Sequence, residues 1–310
     1  MTTTTERPPD RRRAVAKRTE RERHERRLGL RLASPSFVVM LLVTAYPLLY
    51  ALVLSLYNYR LTDPEGREFV GLKNYATVLT DELWWQDLKT TFIITFVTVA
   101  VELVIGFAFA MVMHRLVFGR RTVRTAILVP YGIVTVISGF AWRFAFASDS
   151  GFVNAWFGLE DYDFFAQTGS SLFVIILSEI WKTTPFISLL LLAGLAQVPE
   201  ELQEAAKVDG ATAWQRLWRV TIPNMKAAIM VALLFRTLDA WRVFDNIFVM
   251  TAGANETESL SFLAYRQNVT LLNQGLGSAV SVLLFLSVVV IAFLFVKGFR
   301  TDLSQVRGDR

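Results

Sequence analysis

Long apolar stretches separated by shorter polar segments dominate the pattern along the chain. A helix needs roughly 20 predominantly apolar residues to cross the hydrocarbon core of a bilayer, because no unpaired backbone group can face lipid. Six stretches meet this requirement, at about residues 35–57, 90–113, 123–147, 172–196, 227–250 and 276–296. The pattern therefore predicts an all-α membrane protein with six transmembrane helices, and charge or proline interrupts the third, fourth and fifth.

The composition supports a membrane protein and argues against several kinds of site. Of the 310 residues, 53% are apolar and 19% are charged, which is unlike a soluble domain. The chain has no cysteine, which excludes a disulfide framework, a thiolate metal site and a cysteine nucleophile. Its two histidines leave little for a multi-histidine metal site.

Lys and Arg residues are distributed unevenly between alternate polar segments. Of the 32, 23 lie in segments 1–34, 114–126, 197–226 and 297–310, whereas five lie in segments 58–89, 148–170 and 251–275. Cytoplasmic loops close to membrane spans retain an excess of positive charge. We therefore expect both termini, and the second and fourth loops, to be cytoplasmic.

The amino end predicts a basic cytoplasmic tail at 1–34, followed by a membrane domain at 35–296 and a second cytoplasmic tail at 297–310. The first apolar stretch is longer than the apolar part of a secretory signal and no small-residue cleavage site follows it, so we expect it to be retained as a span. A polybasic tail beside a membrane favours contact with anionic lipid. Interleaved acids and the lack of aromatic residues argue against nucleic acid as the partner.

The cytoplasmic segment 197–226 is patterned like two short helices. Pro199 suits the start of the first helix, and Asp209 followed by Gly210 suits its end. Trp214 and its apolar neighbours form a second apolar stripe, which Pro223 is expected to limit. From these features alone, a helix pair and an amphipathic segment resting among lipid headgroups remain equally open.

One motif in this segment resembles the EAA loop of ABC importer permeases, which reads Glu-Ala-Ala, three residues, Gly, nine residues, Ile, any residue, Leu and Pro. The matching residues are Glu204, Ala205, Ala206, Gly210, Val220, Ile222 and Pro223, with conservative departures at Val220 and Ile222. Further segments resemble the carbohydrate permeases of the trehalose and maltose type: Tyr46-Pro47, Ser55-Leu56-Tyr57, Phe69 to Tyr75, Trp181 to Phe186, and Phe244-Asp245 leading to Thr251. One departure is Thr251-Ala252-Gly253-Ala254, where Thr-Gly-Gly-Pro is frequent.

The resemblance implies a type I ABC importer permease fold and a role as one transmembrane subunit of a sugar importer. It implies four kinds of partner: a second homologous permease, two ATPase subunits, an extracytoplasmic sugar-binding protein or lipoprotein, and the sugar. ATP and Mg would be used by the ATPases, and no cofactor is expected on this chain, whose sequence has no Gly-x-x-x-x-Gly-Lys-Ser/Thr loop. The residues implied to couple to the ATPases are Glu204, Ala205, Ala206, Asp209, Gly210 and Pro223.

Eight ionisable residues fall within the predicted spans, where charge is costly and typical of function. Carboxylates, amides, Arg and aromatic rings are the groups that bind sugars. The candidates for the substrate path are Glu179, Trp181, Arg236, Asp239, Trp241, Arg242, Asp245 and Asn246. We expect Glu179 to pair with Lys182, three residues along the same helix.

Two alternatives remain open at this point. The buried charges fit structural bridges that neutralise one another as well as they fit a sugar path, and Glu102 and Arg143 fit either a cross-helix pair or a cavity wall. An ion-coupled secondary transporter or channel would also use charges inside the membrane. An intramembrane enzyme is a weaker alternative, since the sequence shows no recognisable catalytic set.

Overall fold

The computed structural model describes residues 20–116, 119–159 and 162–306. The chain divides into two compact units, Met1–Tyr50 and Ala51–Arg310. In its described residues, the first unit consists of one helix with mostly exposed apolar side chains. Residues 1–19 of the predicted amino-terminal tail, and 307–310 of the carboxy-terminal one, lie outside the described residues.

The described chain is mostly helical. Its helices before segment 197–226 are α1 (Glu20–Leu54), α2 (Lys73–Thr80), α3 (Glu82–Arg115), α4 (Arg120–Gly132), α5 (Thr135–Ala145), α6 (Phe152–Phe157) and α7 (Thr168–Leu195). The later helices are α8 (Glu200–Val208), α9 (Ala213–Arg216), α10 (Ile222–Asn224), α11 (Lys226–Ala240), α12 (Asp245–Met250), α13 (Leu260–Tyr265) and α14 (Gln274–Val306). Two π-helical segments, Leu217–Thr221 and Arg266–Thr270, follow α9 and α13 directly.

Four described helices are long and apolar enough to cross a membrane, and they coincide with the first, second, fourth and sixth predicted spans. The third predicted span is a bent pair, α4 and α5, whose axes differ by 89°. The pair counts as a fifth crossing if it is one span. The fifth predicted span is also broken, since α11 ends at Ala240 and α12 begins at Asp245. The structure therefore supports four or five apolar crossings by length and composition.

The breaks have local causes. Pro130 lies inside α4 one turn before the first break, and Gly132 ends the helix. At the second break, Phe244 adopts a non-helical backbone conformation, and the Ser259 hydroxyl donates to the Val243 carbonyl at 2.7 Å. A carbonyl freed from its helix at membrane depth needs such a partner.

Part of the polar segment between the first and second predicted spans is not helical. Strands β1 (Tyr57–Arg60) and β2 (Asp63–Phe69) form an antiparallel hairpin, so the all-α expectation missed a small sheet. The Arg67 guanidinium lies 4.5 Å from the Tyr57 ring centroid across the two strands. The Asn74 amide donates to the Tyr57 carbonyl at 2.9 Å, which fixes the base of the hairpin.

Helices α3 and α7 form the centre of the second unit. Gly106 of α3 packs against Ile187 and Ser188 of α7 so closely that a Cβ at Gly106 would lie 2.5 Å from the Ile187 Cγ2 atom. Small residues permit this approach between membrane helices. The buried side chains around this contact include Ala110, Ile187, Leu191, Met225 and Ala232.

We expect Gly106→Ala to lower stability, because the added methyl overpacks a contact whose opposing methyl is held on a β-branched side chain. The expected cost is about 1–3 kcal/mol, seen as a lower apparent melting temperature of the detergent-solubilised protein. Gly169→Ala in α7 is the matched control, since a Cβ there meets nothing within 4 Å. Equal melting temperatures for both variants would contradict the close approach.

Candidate functional site

The side chain of Arg236, on α11, is 1% exposed and lies among three carboxylates. Its Nε donates to Glu102 Oε2 at 2.5 Å, and its Nη2 donates to Glu102 Oε1 at 2.9 Å. Nη1 donates to Asp239 Oδ2 at 2.9 Å, and Nη2 lies 3.5 Å from Glu179 Oε2. Arg236 therefore binds Glu102 through two parallel hydrogen bonds, the strongest form of this pair.

Two neutral side chains complete the cluster. The Thr183 hydroxyl donates to Glu102 Oε1 at 2.7 Å, and the Asn246 amide donates to Glu179 Oε1 at 2.7 Å. Both carboxylates thus have a second donor, as a buried charge requires. The cluster joins four helices, since its members come from α3, α7, α11 and α12.

The charge cluster is open on one side. Glu102 and Arg236 are almost fully buried, whereas the Asp239 side chain is 60% exposed. One guanidinium faces three carboxyl groups, and only that of Asp239 is exposed. The arrangement therefore presents one carboxyl group that a polar ligand can reach.

The segment 197–226 forms a helix, a turn and a second helical stretch. Gly210 adopts a left-handed conformation, with φ of +77°, directly after α8. Thr212 and Gln215 form a capping box at the start of α9. The Gln203 amide donates to the Thr221 hydroxyl at 3.0 Å, which ties α8 to the second stretch. The segment is therefore an ordered helix pair and not an irregular connector.

Pro223 does not end the second helical stretch as expected. It lies in α10, directly after the π-helical segment Leu217–Thr221. Proline is tolerated in the first turn of a helix, where its missing N–H has no intrahelical acceptor. The π-helical turn starts a new hydrogen-bonding register here, and the chain continues through Met225 into α11.

The surface of this segment is exposed and combines charged side chains of α8 with large apolar ones, among them Val208, Trp214 and Trp218. No residue of α8 is buried, and the Trp214 and Trp218 rings meet edge to face with centroids 5.6 Å apart. Beneath the segment, a cavity of about 750 Å³ separates it from the ends of α3 and α7, with Glu204, Arg115 and Arg216 among its lining residues. Exposed apolar surface of this kind is typical of a docking face or a membrane interface.

Comparison with known proteins decides the family. The model of the binding-protein-dependent transport system inner membrane component matches residues 102–304. The chain belongs to this family. It is thus a multi-pass permease of the inner membrane, of the ABC importer class.

Relatives and solved structures agree with this assignment. The permease is 51% identical to the trehalose transport system permease protein SugA of Mycobacterium tuberculosis, over 92% of this chain and 93% of the relative. It is 36% identical to the trehalose/maltose transport system permease protein MalF of Thermococcus litoralis, over 90% and 96%. The fold is that of a chain from a bacterial ABC transporter involved in the import of the acidic polysaccharide alginate. The TM-score is 0.77 at 22% identity, covering 91% of the permease and 98% of that chain.

Four of the eight predicted path residues come together in the permease: Glu179, Arg236, Asp239 and Asn246. The other four do not join them. The Trp181 ring meets the Trp142 ring at 5.9 Å, and Trp241 donates to the Ser287 hydroxyl at 2.8 Å within the core beside α14. Arg242 is exposed and donates to the Leu238 carbonyl at 3.3 Å, and Asp245 lies half-buried at the start of α12.

The expected pair of Glu179 and Lys182 is wrong. Glu179 faces Arg236 and Asn246, whereas the Lys182 ammonium donates to the Ile133 carbonyl at 2.8 Å. The buried guanidinium of Arg236, on the neighbouring helix, contacts the Glu179 carboxyl group instead. Glu102 is the cross-helix partner of Arg236, and Arg143 instead donates to the Val249 carbonyl at 2.8 Å.

A buried polar stripe on α3 was missed because its first member was counted with the outer loop. Its members are Asp87, Thr91, Thr95, Thr98 and Glu102, each nearly inaccessible to solvent. Their spacing of three or four residues in an apolar helix is a signal that this face packs against protein. Asp87 is 0% exposed, and neither of its carboxylate oxygens has a hydrogen-bond partner among the described residues.

The segment between α12 and α13 packs against this end of α3. Thr90 donates to the Glu256 carbonyl at 3.2 Å, and the Leu260 N–H donates to the Thr91 hydroxyl at 3.0 Å. Nearby, Glu258 Oε2 accepts from Arg266 at 3.1 Å. Burial raises the pKa of Glu258 to about 6, although the Arg266 charge acts in the opposite direction.

Replacement of Arg236 by Met should destabilise the permease strongly, because Glu102 and Glu179 would then be buried without a cation. The expected loss is about 3–5 kcal/mol, measured as yield and apparent melting temperature in detergent. Arg242→Met is the control, since Arg242 is exposed on the same stretch of chain. Addition of Glu102→Gln to Arg236→Met should restore part of the loss; if the double variant is no better than the single one, the pairing is not what holds these helices.

Glu258 should make the permease more stable as the pH falls from 7 to 5. Its folded pKa lies above its ordinary value, so the folded state binds more protons and gains stability as the pH falls through this range. Glu258→Gln should flatten this dependence by at most about 2 kcal/mol, measured as the difference in melting temperature between variant and parent at each pH. Parallel curves for the two proteins would contradict the raised pKa.

Proposed function

We propose that the permease is the transmembrane subunit of an ATP-driven sugar importer and forms half of the path for a di- or oligosaccharide of the trehalose or maltose type. The identity of 51% to SugA over nearly the full length of both chains carries this proposal. The conclusion on sugar is one of analogy, while the geometry of the site supports the way in which the sugar is held.

The membrane domain crosses six times, with both termini in the cytoplasm. Four continuous helices and two broken stretches, α4 with α5 and α11 with α12, make up the crossings. The Lys and Arg distribution supports this orientation. Broken helices are typical of transporter sites near the midplane, because their ends leave backbone groups and dipoles for a ligand.

The sugar binds at the open side of the charge cluster. Asp239 accepts hydrogen bonds from sugar hydroxyls, since it is the exposed carboxylate of the cluster and Arg236 fixes its orientation. Glu179 and Asn246 support this face from within. Trp181 is partly exposed, but it lies two residues from Glu179 and therefore on another face of α7, so it is not part of this contact.

The segment 197–226 couples the permease to the ATPases. Glu204, Ala205, Ala206 and Asp209 lie on or at the end of α8, whose surface is uncovered in this chain. Gly210 sets the turn, and Pro223 belongs to the stretch that continues into α11. A helix pair tied to the spans on both sides can transmit a rigid-body movement, as a flexible loop could not.

The working complex contains this permease, a second homologous permease, two ATPases that bind ATP and Mg, and an extracytoplasmic sugar-binding protein. ATP binding closes the ATPases, the coupling segments follow, and the path opens towards the loaded binding protein. Hydrolysis resets the path towards the cytoplasm. One solved structure of the same fold is a bacterial alginate ABC transporter in complex with an alginate pentasaccharide-bound periplasmic protein, which supports a binding protein among the partners.

Variants at Glu204 and Gly210 test the coupling. We expect Glu204→Ala and Gly210→Val to lower sugar uptake and stimulated ATP hydrolysis by about tenfold or more, the loss expected for a charged contact or a strained turn. Gly210→Asn is the matched control, because Asn tolerates the left-handed conformation that Gly210 adopts. Glu65→Ala, on the exposed outer hairpin, controls for loss of a charge.

Unchanged hydrolysis and uptake in both variants would refute the coupling role. The ion-coupled alternative is tested in the same vesicles. Sugar uptake by this chain alone that follows an imposed proton gradient and needs no ATPase would exclude an ABC importer. Uptake that needs ATP, the ATPases and the binding protein supports the importer.

A further inference from the structure

The break between α4 and α5 interrupts the third predicted span and leaves a carbonyl to be satisfied. The carbonyls of the last helical turn have no partner within their own helix. Ile133 follows the last residue of α4, and its carbonyl accepts a hydrogen bond from the Lys182 ammonium at 2.8 Å. A side chain from α7 thus replaces the missing backbone donor, as membrane helices require.

Lys182 suits this position by charge as well as by reach. A cation is favoured at the carboxy end of a helix, where the carbonyl dipoles point. The ammonium also lies 5.8 Å from the Tyr131 ring centroid, and that ring stacks on Phe186 at 5.6 Å, one turn beyond Lys182 on α7. Lys182 and the ring pair of Tyr131 and Phe186 therefore hold the end of α4 against one face of α7.

Lys182 has no competing ion pair in the part of the chain that the structure describes. Glu179, one turn earlier, is held by Arg236 and Asn246. The residue is 7% exposed, so solvent cannot replace the carbonyl and the ring. Loss of these partners would leave a buried ammonium unpaired, which is costly.

The break is connected to the charge cluster by a second route. Gly139 of α5 packs against Asn246 and Val249 of α12, where an added Cβ would lie 3.2 Å from each side chain. Arg143 of α5 donates to the Val249 carbonyl at 2.8 Å, and Asn246 donates to Glu179 of α7. The angle between α4 and α5 therefore cannot change while all of these contacts and the Lys182 contact persist.

We propose that Lys182 is a positioning residue that latches the broken span: it holds α4 and α5 in their bent arrangement until the loaded binding protein and ATP change the access of the path. This inference rests on the proposed function. It assigns control of the transport cycle to a residue that does not contact the sugar. Removal of the Lys182 ammonium allows the angle between α4 and α5 to change, so the complex hydrolyses ATP without the loaded binding protein. The energy of one charged hydrogen bond is enough to change the population of two states about tenfold.

The test uses the full complex in proteoliposomes and measures ATP hydrolysis with and without the loaded binding protein. Lys182→Met should raise hydrolysis without binding protein by about tenfold and remove its stimulation. Lys182→Arg should retain the stimulation of the parent, because a guanidinium can still donate to the carbonyl. Tyr131→Phe is the control, since it keeps the ring that Lys182 faces.

If Lys182→Met keeps the hydrolysis and stimulation of the parent, or if Lys182→Arg fails in the same way, the latch is refuted. A parent complex that shows no ATP-driven sugar uptake would instead refute the proposed function, so the two failures are distinct.

A second measurement covers the case in which Lys182→Met does not assemble. The chain has no cysteine, so the pair Tyr131→Cys and Phe186→Cys can be joined selectively by a short reducible thiol cross-linker. We expect cross-linked complex to lose stimulated hydrolysis and uptake, and reduction to restore both. Full activity of the cross-linked complex would show that this end of α4 does not move relative to α7 during transport, and would overturn the proposal.

Discussion

The ion cluster around Arg236 is the interaction on which the arrangement of the membrane helices depends. One guanidinium satisfies carboxylates from α3 and α7, and it does so at a depth where neither could be solvated. Desolvation makes such a cluster poor at adding stability, but very sensitive to its geometry, since any misplaced member leaves a buried charge. The helices can therefore meet in one register only, and Asp239 is left as the member that faces outwards.

Side chains donate hydrogen bonds to the backbone carbonyls that the helix breaks leave free. The carbonyls of Ile133, Val243 and Val249 lie at helix ends inside the membrane domain, and each accepts from a side chain of another element. Lys182 and Arg143 are thus bound to backbone and not to carboxylates. Ionisable residues in membrane spans are commonly interpreted as ligand or ion-pair groups, and here three of the four cations, Arg143, Lys182 and Arg242, donate to carbonyls at helix ends. The distinction matters because a cap controls helix direction, whereas a ligand group controls affinity.

Hydropathy alone located the four long apolar helices and the bent pair of α4 and α5, and the spacing of Glu204 to Gly210 located the turn after α8. Both features depend on residues that are close together in the sequence, so they can be predicted without knowledge of the fold. The partner of each buried charge could not be predicted, because it depends on which helices are neighbours. Glu179 illustrates this, as the adjacent Lys182 was the obvious partner and a residue 57 positions away is the actual one. The bend of 89° was equally hidden, since Pro130 and Gly132 indicate a break but not its angle.

The polar stripe on α3 connects two regions of the permease through one continuous helix. Asp87 and Glu102 lie about four helical turns apart on one face of a continuous helix, so the outer packing of the α12–α13 connection and the central cluster share one rigid rod. Sliding α3 along its axis by a single turn would misalign every polar residue on it at once. A displacement of α3 would therefore disturb the central cluster and its contact with the α12–α13 connection together.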